Sequence, residues 1–182
     1  ILKDTGALRG LLELPATLEK LTEILGFLKL FQAGLRPAQI TQRVLIPGIG
    51  AAVAYAASDA YGNRFSIPLP VHCELLGARF WDFDDEGLGK VLCLFDDEFA
   101  ATTDNAALDI ADNDQLHSVG HITISGGDFV DMGSSREATT LITALPCFLP
   151  EGRLHIQVQT LGADNIAAAA MPMIALFYRD LT

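Results

Sequence analysis

From residue 40 onward the sequence is a series of short apolar segments separated by clusters of Gly, Pro, Asp and Asn, and this pattern constrains the fold most strongly. Several segments alternate apolar and polar residues, as in RLHIQVQT at residues 153–160, which is typical of a strand with one buried face. Strands and helices do not alternate regularly, so a parallel sheet is not expected. The candidate strands are residues 42–46, 51–56, 65–69, 73–83, 90–95, 117–124, 139–145, 153–160 and 172–178.

Short strands joined by turn residues predict a mainly β domain over residues 40–182, an antiparallel jelly roll, sandwich or barrel-like fold. A chain of 182 residues has room for one such domain and an appendage, and it needs no disulfide or metal to fold. We expect Trp81 in the core, His155 on the polar face of its strand, and a bulge or corner at Gly77. The segment DNAALDIADND, residues 104–114, predicts one short helical turn.

Residues 1–39 have a different pattern and predict an N-terminal helical arm. In LPATLEKLTEILGFLKLFQAG the leucines recur three and four residues apart, which is the spacing of an amphipathic helix. Pro15 suits the first turn of this helix, and Gly34 suits its C-terminal cap. The apolar stripe needs a partner surface, and the sequence leaves open whether its own β domain or a neighbouring subunit provides it.

The charge balance argues against two classes of partner. The chain has 12 basic and 23 acidic residues, a formal net charge of −11, so it repels nucleic acid and anionic lipid surfaces. No apolar run approaches the length of about 20 residues that a membrane-spanning helix requires. Half of the residues are hydrophobic and the mean hydropathy is +0.32, which indicates apolar surface beyond one core and favours subunit contacts.

Three acidic clusters, WDFDDEG, FDDEF and DIADND, are the first candidates for chemistry. DIADNDQL resembles the start of a calcium-binding EF-hand loop only loosely, because it lacks the glycine at the sixth position and the distant glutamate. Solvated loops are the favoured interpretation, with a structural cation second. A glycosidase-type pair of carboxylates is the third, and it would need an aromatic-lined cleft.

Histidines and cysteines offer no stronger site. His117 and His121 are four residues apart at the entry to a candidate strand, and no third ligand follows at the spacing that zinc requires. Cys73, Cys93 and Cys147 form no CxxC pair, so we expect free thiols and synthesis in a reducing compartment. The sequence has no GxSxG motif and no phosphate-binding loop. We therefore predict no catalytic residue, no metal and no cofactor.

Three stretches carry a resemblance to a known family: AAVAYAASDAYGNRFSIPLP, VLCLFDDEFAATTDNAALDIADNDQL and ALPCFLPEGRLHIQVQTLGA. Together they resemble the small capsid decoration, or cement, proteins of tailed bacteriophages, over about residues 42–178. In that pattern a turn at residues 59–62 follows a small-residue strand, residues 91–95 lead to the DNAA of residues 104–107, and an L-x-V-x-V-like strand precedes GA.

The resemblance implies a jelly-roll or barrel subunit, usually a homotrimer, on the outer surface of the virion, synthesised in the host cytoplasm. Its partner would be the major capsid protein, whose expanded shell it would brace against the pressure of packaged DNA. The helical arm departs from the shorter members of the family.

Under this hypothesis the contacts to the capsid or to other subunits come from the helical stripe and from the junction between arm and domain. The predicted contact residues are Leu18, Leu21, Leu25, Leu28, Arg36, Ile40 and Arg43. Two alternatives stay open. One is a carbohydrate-binding or head-fibre-type β-sandwich module of a virion, and the other is a hydrolase with a carboxylate pair.

Overall fold

The computed structural model describes residues 20–21, 36–50, 53–167 and 171–182. The chain divides between Pro37 and Ala38, and the domain described below is the part after this division. The predicted helical arm lies almost entirely outside the described residues; within it, Lys20 and Leu21 are helical. The arm therefore stays a prediction.

The described domain is built from antiparallel sheets. Sheet I has the strand order β1 (Gln39–Ile40), β12 (Met173–Asp180), β5 (His72–Asp82), β9 (Arg136–Phe148) and β8 (Phe129–Asp131), with β2 (Val44–Leu45) also on β12. Sheet II has the order β4 (Ala60–Pro68), β10 (Arg153–Thr160), β6 (Lys90–Phe95) and β7 (Ser118–Ile124). A small third sheet pairs β11 (Asn165–Ile166) with β3 (Val53–Ala54).

One hydrophobic core joins the two large sheets. Sheet I contributes Phe80 and Ile174, and sheet II contributes Leu92 and Ile156, all of them fully buried. Most of the long strands alternate between the sheets along the chain, as expected for a jelly-roll type of sandwich. The mainly β, antiparallel fold class is thus confirmed, and the described strands do not close into a barrel.

Most candidate strands lie where the sequence pattern placed them. The strands predicted at residues 90–95 and 153–160 have the observed bounds of β6 and β10. The predicted bulge is present, because the pairing of β5 with β9 shifts register between Leu75 and Gly77. The predicted helical turn is the one-turn helix Asp112–Gln115. The short strands β1, β8 and β11 were not predicted.

The predicted turn at residues 59–62 is wrong, since β4 begins at Ala60 and Gly62 lies within it. Gly62 has a φ of 76°, and a Cβ there would come within 2.7 Å of both a side-chain carbon of Ile46 and the carbonyl oxygen of Pro47. The glycine is therefore required by the close approach of the preceding loop, not by a chain reversal.

Two side chains differ from expectation: Trp81 lies on the opposite face from the one expected, and His155 lies on the expected face of β10 but is buried. Trp81 faces outward from β5 and is half-buried, with the guanidinium groups of Arg43 and Arg79 5.1 and 5.9 Å from its ring centroid. Its neighbours Phe80 and Asp82 occupy the buried positions instead. His155 is buried, and its Nε2 has no hydrogen-bond partner among the described residues.

Candidate functional site

The predicted contact residues divide between described and undescribed parts of the chain. Leu18, Leu25 and Leu28 lie outside the described residues, so the prediction of an apolar stripe is not tested by their positions. Leu21 and Arg36 are described and exposed.

Ile40 and Arg43 lie close together at a groove beside the junction. The groove has a volume of about 350 Å³ and is also lined by Val44, Ile67 and Tyr178. Ile40 is exposed in β1, where it pairs with Phe177 of β12. The structure thus gathers these two predicted residues on a partly apolar surface of the described domain.

A second surface, which the sequence interpretation missed, is the outer edge of sheet I. On the side of β9 away from β5, β8 pairs only with Arg136–Ala138. Over the rest of β9, residues 139–148, no other described strand forms a ladder on this side. Such an edge presents backbone N–H and C=O groups that a further strand can bind.

The side chains along this edge are unusually apolar for a solvent-facing position. Leu141 is 73% exposed and Phe148 is 55% exposed on β9, and Val130 and Met132 add exposed apolar surface at β8 and just after it. We call Val130, Met132, Leu141 and Phe148 the edge patch. Exposed apolar side chains on and beside an open strand favour association with another chain.

Pro146 also lies on β9, opposite Glu74 of β5. A proline is tolerated inside a sheet where its nitrogen faces away from the ladder, so Pro146 suits a strand with one open side. β9 therefore has the composition of a true edge strand.

The acidic loops are held by hydrogen bonds within the protein. Asp104 accepts bonds from the Tyr55 hydroxyl at 2.7 Å and from the Gly50 and Gly62 backbone N–H groups at 3.0 and 2.7 Å. Burial raises the pKa of Tyr55, and its hydrogen bond to Asp104 raises it further. The carboxylate in the DNAA motif thus closes a loop onto the sheet.

Asp82 has a similar role, since its two carboxylate oxygens accept the Asp84 and Gly87 N–H groups at 3.0 and 2.7 Å. Glu86 follows in the same turn, and burial raises the pKa of its carboxyl, with neighbouring carboxylates adding to the rise. Across the described ranges no group of three or more His, Cys, Asp or Glu residues is arranged to hold a metal ion. These loops are therefore interpreted as structural turns.

His117 and His121 do not form one site. His117 precedes β7 and its Nδ1 lies 3.2 Å from an oxygen of Asp96, whereas His121 pairs with Cys93 across sheet II. His121 and Cys93 line an open groove of about 750 Å³ together with Asp109. Burial raises the pKa of the Cys93 thiol, which is the opposite of the shift that activates a cysteine nucleophile.

The three cysteines are free, as expected. Cys73 and Cys147 are buried directly opposite each other on β5 and β9.

The most unusual chemistry lies at one end of the core. The Lys90 side chain is 0% exposed and the Asp164 side chain is 1% exposed, and 2.6 Å separates Nζ from Oδ2. Sequence reasoning missed both residues. The period of two in KVLCLF does place Lys90 on the same face as the buried Leu92 and Leu94, and this was the available signal.

No family model matches the chain, and a search of curated proteins finds no match either. Among the described residues, no helix combines the length and the apolar character needed to cross a bilayer. The functional interpretation therefore depends on the surfaces described above and on the resemblance found in the sequence.

Proposed function

We propose that the chain is a structural virion protein: a homotrimeric decoration subunit that binds the major capsid protein on the outer surface of a phage capsid and stabilises the shell. The observation that carries this proposal is the edge patch beside the open strand β9. We assign a second copy of the chain as the partner that binds this edge. We assign the groove at Ile40 and Arg43 as the surface that contacts the major capsid protein.

Two further features support an assembly role. The edge patch combines open backbone groups with exposed apolar side chains, which are the two components that strand addition uses. An acidic chain with a formal net charge of −11 keeps a finished particle in solution, while symmetric repetition multiplies modest contacts through avidity.

Neither alternative gains a supporting observation from the described residues. A carbohydrate-binding sandwich needs a bare aromatic platform, whereas Trp81 is covered by Arg43 and Arg79. A hydrolase needs two carboxylates across a cleft, whereas Glu86 and Asp164, whose pKa values are raised, line neither of the two grooves described above.

The oligomeric state tests the edge assignment. We expect light scattering after size-exclusion chromatography of the full chain to give the mass of a trimer. Leu141→Lys places a charge in the edge patch and should give monomers. Leu116→Lys is the matched control, because Leu116 is 84% exposed and lies beyond the one-turn helix, outside the edge patch; this variant should remain trimeric.

A monomeric wild-type chain at high concentration, or a trimeric Leu141→Lys variant, would contradict the edge assignment. Capsid binding is tested separately by mixing the chain with expanded capsids of its own phage and heating them. We expect the decorated shells to survive higher temperature, and the arm prediction adds that Leu25→Asp should lower retention on the particle. Undecorated shells after mixing with wild-type protein would overturn the capsid role.

A further inference from the structure

Lys90 and Asp164 form a buried pair that no function considered above uses. Lys90 is the first residue of β6 and pairs in register with Thr160, the last residue of β10. Asp164 lies in the connection that follows β10, and its carbonyl oxygen accepts the Tyr55 N–H at 2.7 Å. Backbone hydrogen bonding therefore holds both residues in place.

The side-chain environment holds the amine against the carboxyl group. Nζ donates a hydrogen bond to the Leu88 carbonyl oxygen at 2.9 Å and lies 4.8 and 5.8 Å from the ring centroids of Tyr61 and Phe80. Nζ is 2.6 Å from Oδ2 of Asp164, so the amine and the carboxyl group are in direct contact. Both side chains are shielded from water at this contact.

We propose that Lys90 and Asp164 condense to an intramolecular amide, an isopeptide bond that joins the start of β6 to the β10–β11 connection. In this step Nζ attacks the carboxyl carbon of Asp164, a C–N bond forms and one carbon–oxygen bond breaks. The ammonium group loses two protons and keeps one, and the departing oxygen leaves with these two protons as water. The reaction needs no oxidant, reductant or added group.

Burial and rigid placement both favour this condensation. Two charges held away from water carry a desolvation cost, which the neutral amide removes. Rigid placement of the two groups replaces an encounter in solution, for which effective molarities on the order of 10⁵–10⁸ M are known. Burial also raises the pKa of the Asp164 carboxyl, which Lys90 opposes and Asp82 reinforces, and a protonated carboxyl is the form that an amine attacks.

Mass spectrometry of the purified full chain under denaturing conditions tests the proposal. We expect the intact mass to be lower than the sequence mass by one water molecule. Trypsin should not cleave after Lys90, because its amine is acylated, and the digest should contain residues 80–136 joined to residues 154–179. Fragmentation should place the junction at Lys90 and Asp164.

Lys90→Arg keeps the positive charge but removes the attacking amine, so this variant should show the full sequence mass. The wild-type digest is decisive even if the variant does not fold. Separate recovery of residues 80–90 and 154–179 overturns the proposal. This holds even if the intact protein has lost water, because an aspartyl succinimide would give that loss without a linked peptide. The result of this digest does not depend on the oligomeric state or on capsid binding, so it can fail while the proposed function holds, and the reverse.

Discussion

Removal of the Asp104 carboxylate should be among the most destabilising single changes at the surface of the domain. Asp104 accepts hydrogen bonds from Tyr55, Gly50 and Gly62, which belong to three separate stretches of chain. A hydrogen bond to a charged group contributes about 1.5–3 kcal/mol to stability. Since Asp104 is only half-buried and the three bonds are not additive, we expect Asp104→Ala to lower the free energy of unfolding by about 3–5 kcal/mol.

Two further variants separate the contributions of the individual hydrogen bonds to this loss of unfolding free energy. Tyr55→Phe removes one hydroxyl and leaves the carboxylate its two N–H donors, so it should cost about 1 kcal/mol. Asp104→Asn keeps the size but turns an N–H donor toward one of the former partners, and it should cost about 2 kcal/mol.

Urea unfolding of the full chain, followed by tryptophan fluorescence, measures these differences. Asp109→Ala is the matched control, since it removes an exposed acid from the same connection, and it should change stability by no more than about 0.5 kcal/mol. The reasoning is refuted if Asp104→Ala and Asp109→Ala unfold at the same urea concentration.

Three further changes test other parts of the structure. Ile156→Ala opens a cavity in the shared core and should cost about 2–5 kcal/mol in urea unfolding, whereas exposed Leu141→Ala should cost less than about 0.5 kcal/mol in a monomeric sample. Gly62→Ala strains a residue with a φ of 76° and no room for a Cβ, so it should cost at least about 1 kcal/mol; Gly127→Ala, whose Cβ would meet nothing closer than 3.9 Å, should be nearly neutral. The folded protein raises the pKa of Glu86 above its ordinary value of 4.5, so the folded state binds its proton more tightly and stability falls as the pH rises through that window. Glu86→Gln should therefore raise the melting temperature at pH 7 relative to wild type and leave it unchanged well below pH 4; an equal gain at both pH values would contradict the linkage.

The alternation of apolar residues was sufficient to predict the long strands. β6 and β10 were predicted with their observed bounds because each has a clear period of two between turn residues. β8 and β11 have three and two residues, too few to show a period, and they are defined by partners distant in the sequence. The orientation of Trp81 was predicted wrongly because the buried place beside it belongs to Asp82, a carboxylate that backbone N–H groups satisfy.

The candidate sites were less accessible to sequence reasoning. Whether β9 lies at an edge depends on which strands flank it, and Pro146 is the residue of β9 that favours an edge position. Lys90 and Asp164 are far apart in the chain, and they meet only because β6 and β10 are neighbours in sheet II. A lysine in phase with Leu92 and Leu94 indicates a buried charge, but its partner becomes visible only after the sheet is assembled.

Pro146 sets a limit on any ladder that is added to β9. An incoming strand that continued past this residue would leave one of its own carbonyl groups without a donor, because proline has no N–H. Favourable pairing is therefore restricted to the short stretch before residue 146. A proline at this position thus shortens the part of β9 that can pair edge to edge with a further strand, which limits uncontrolled strand addition.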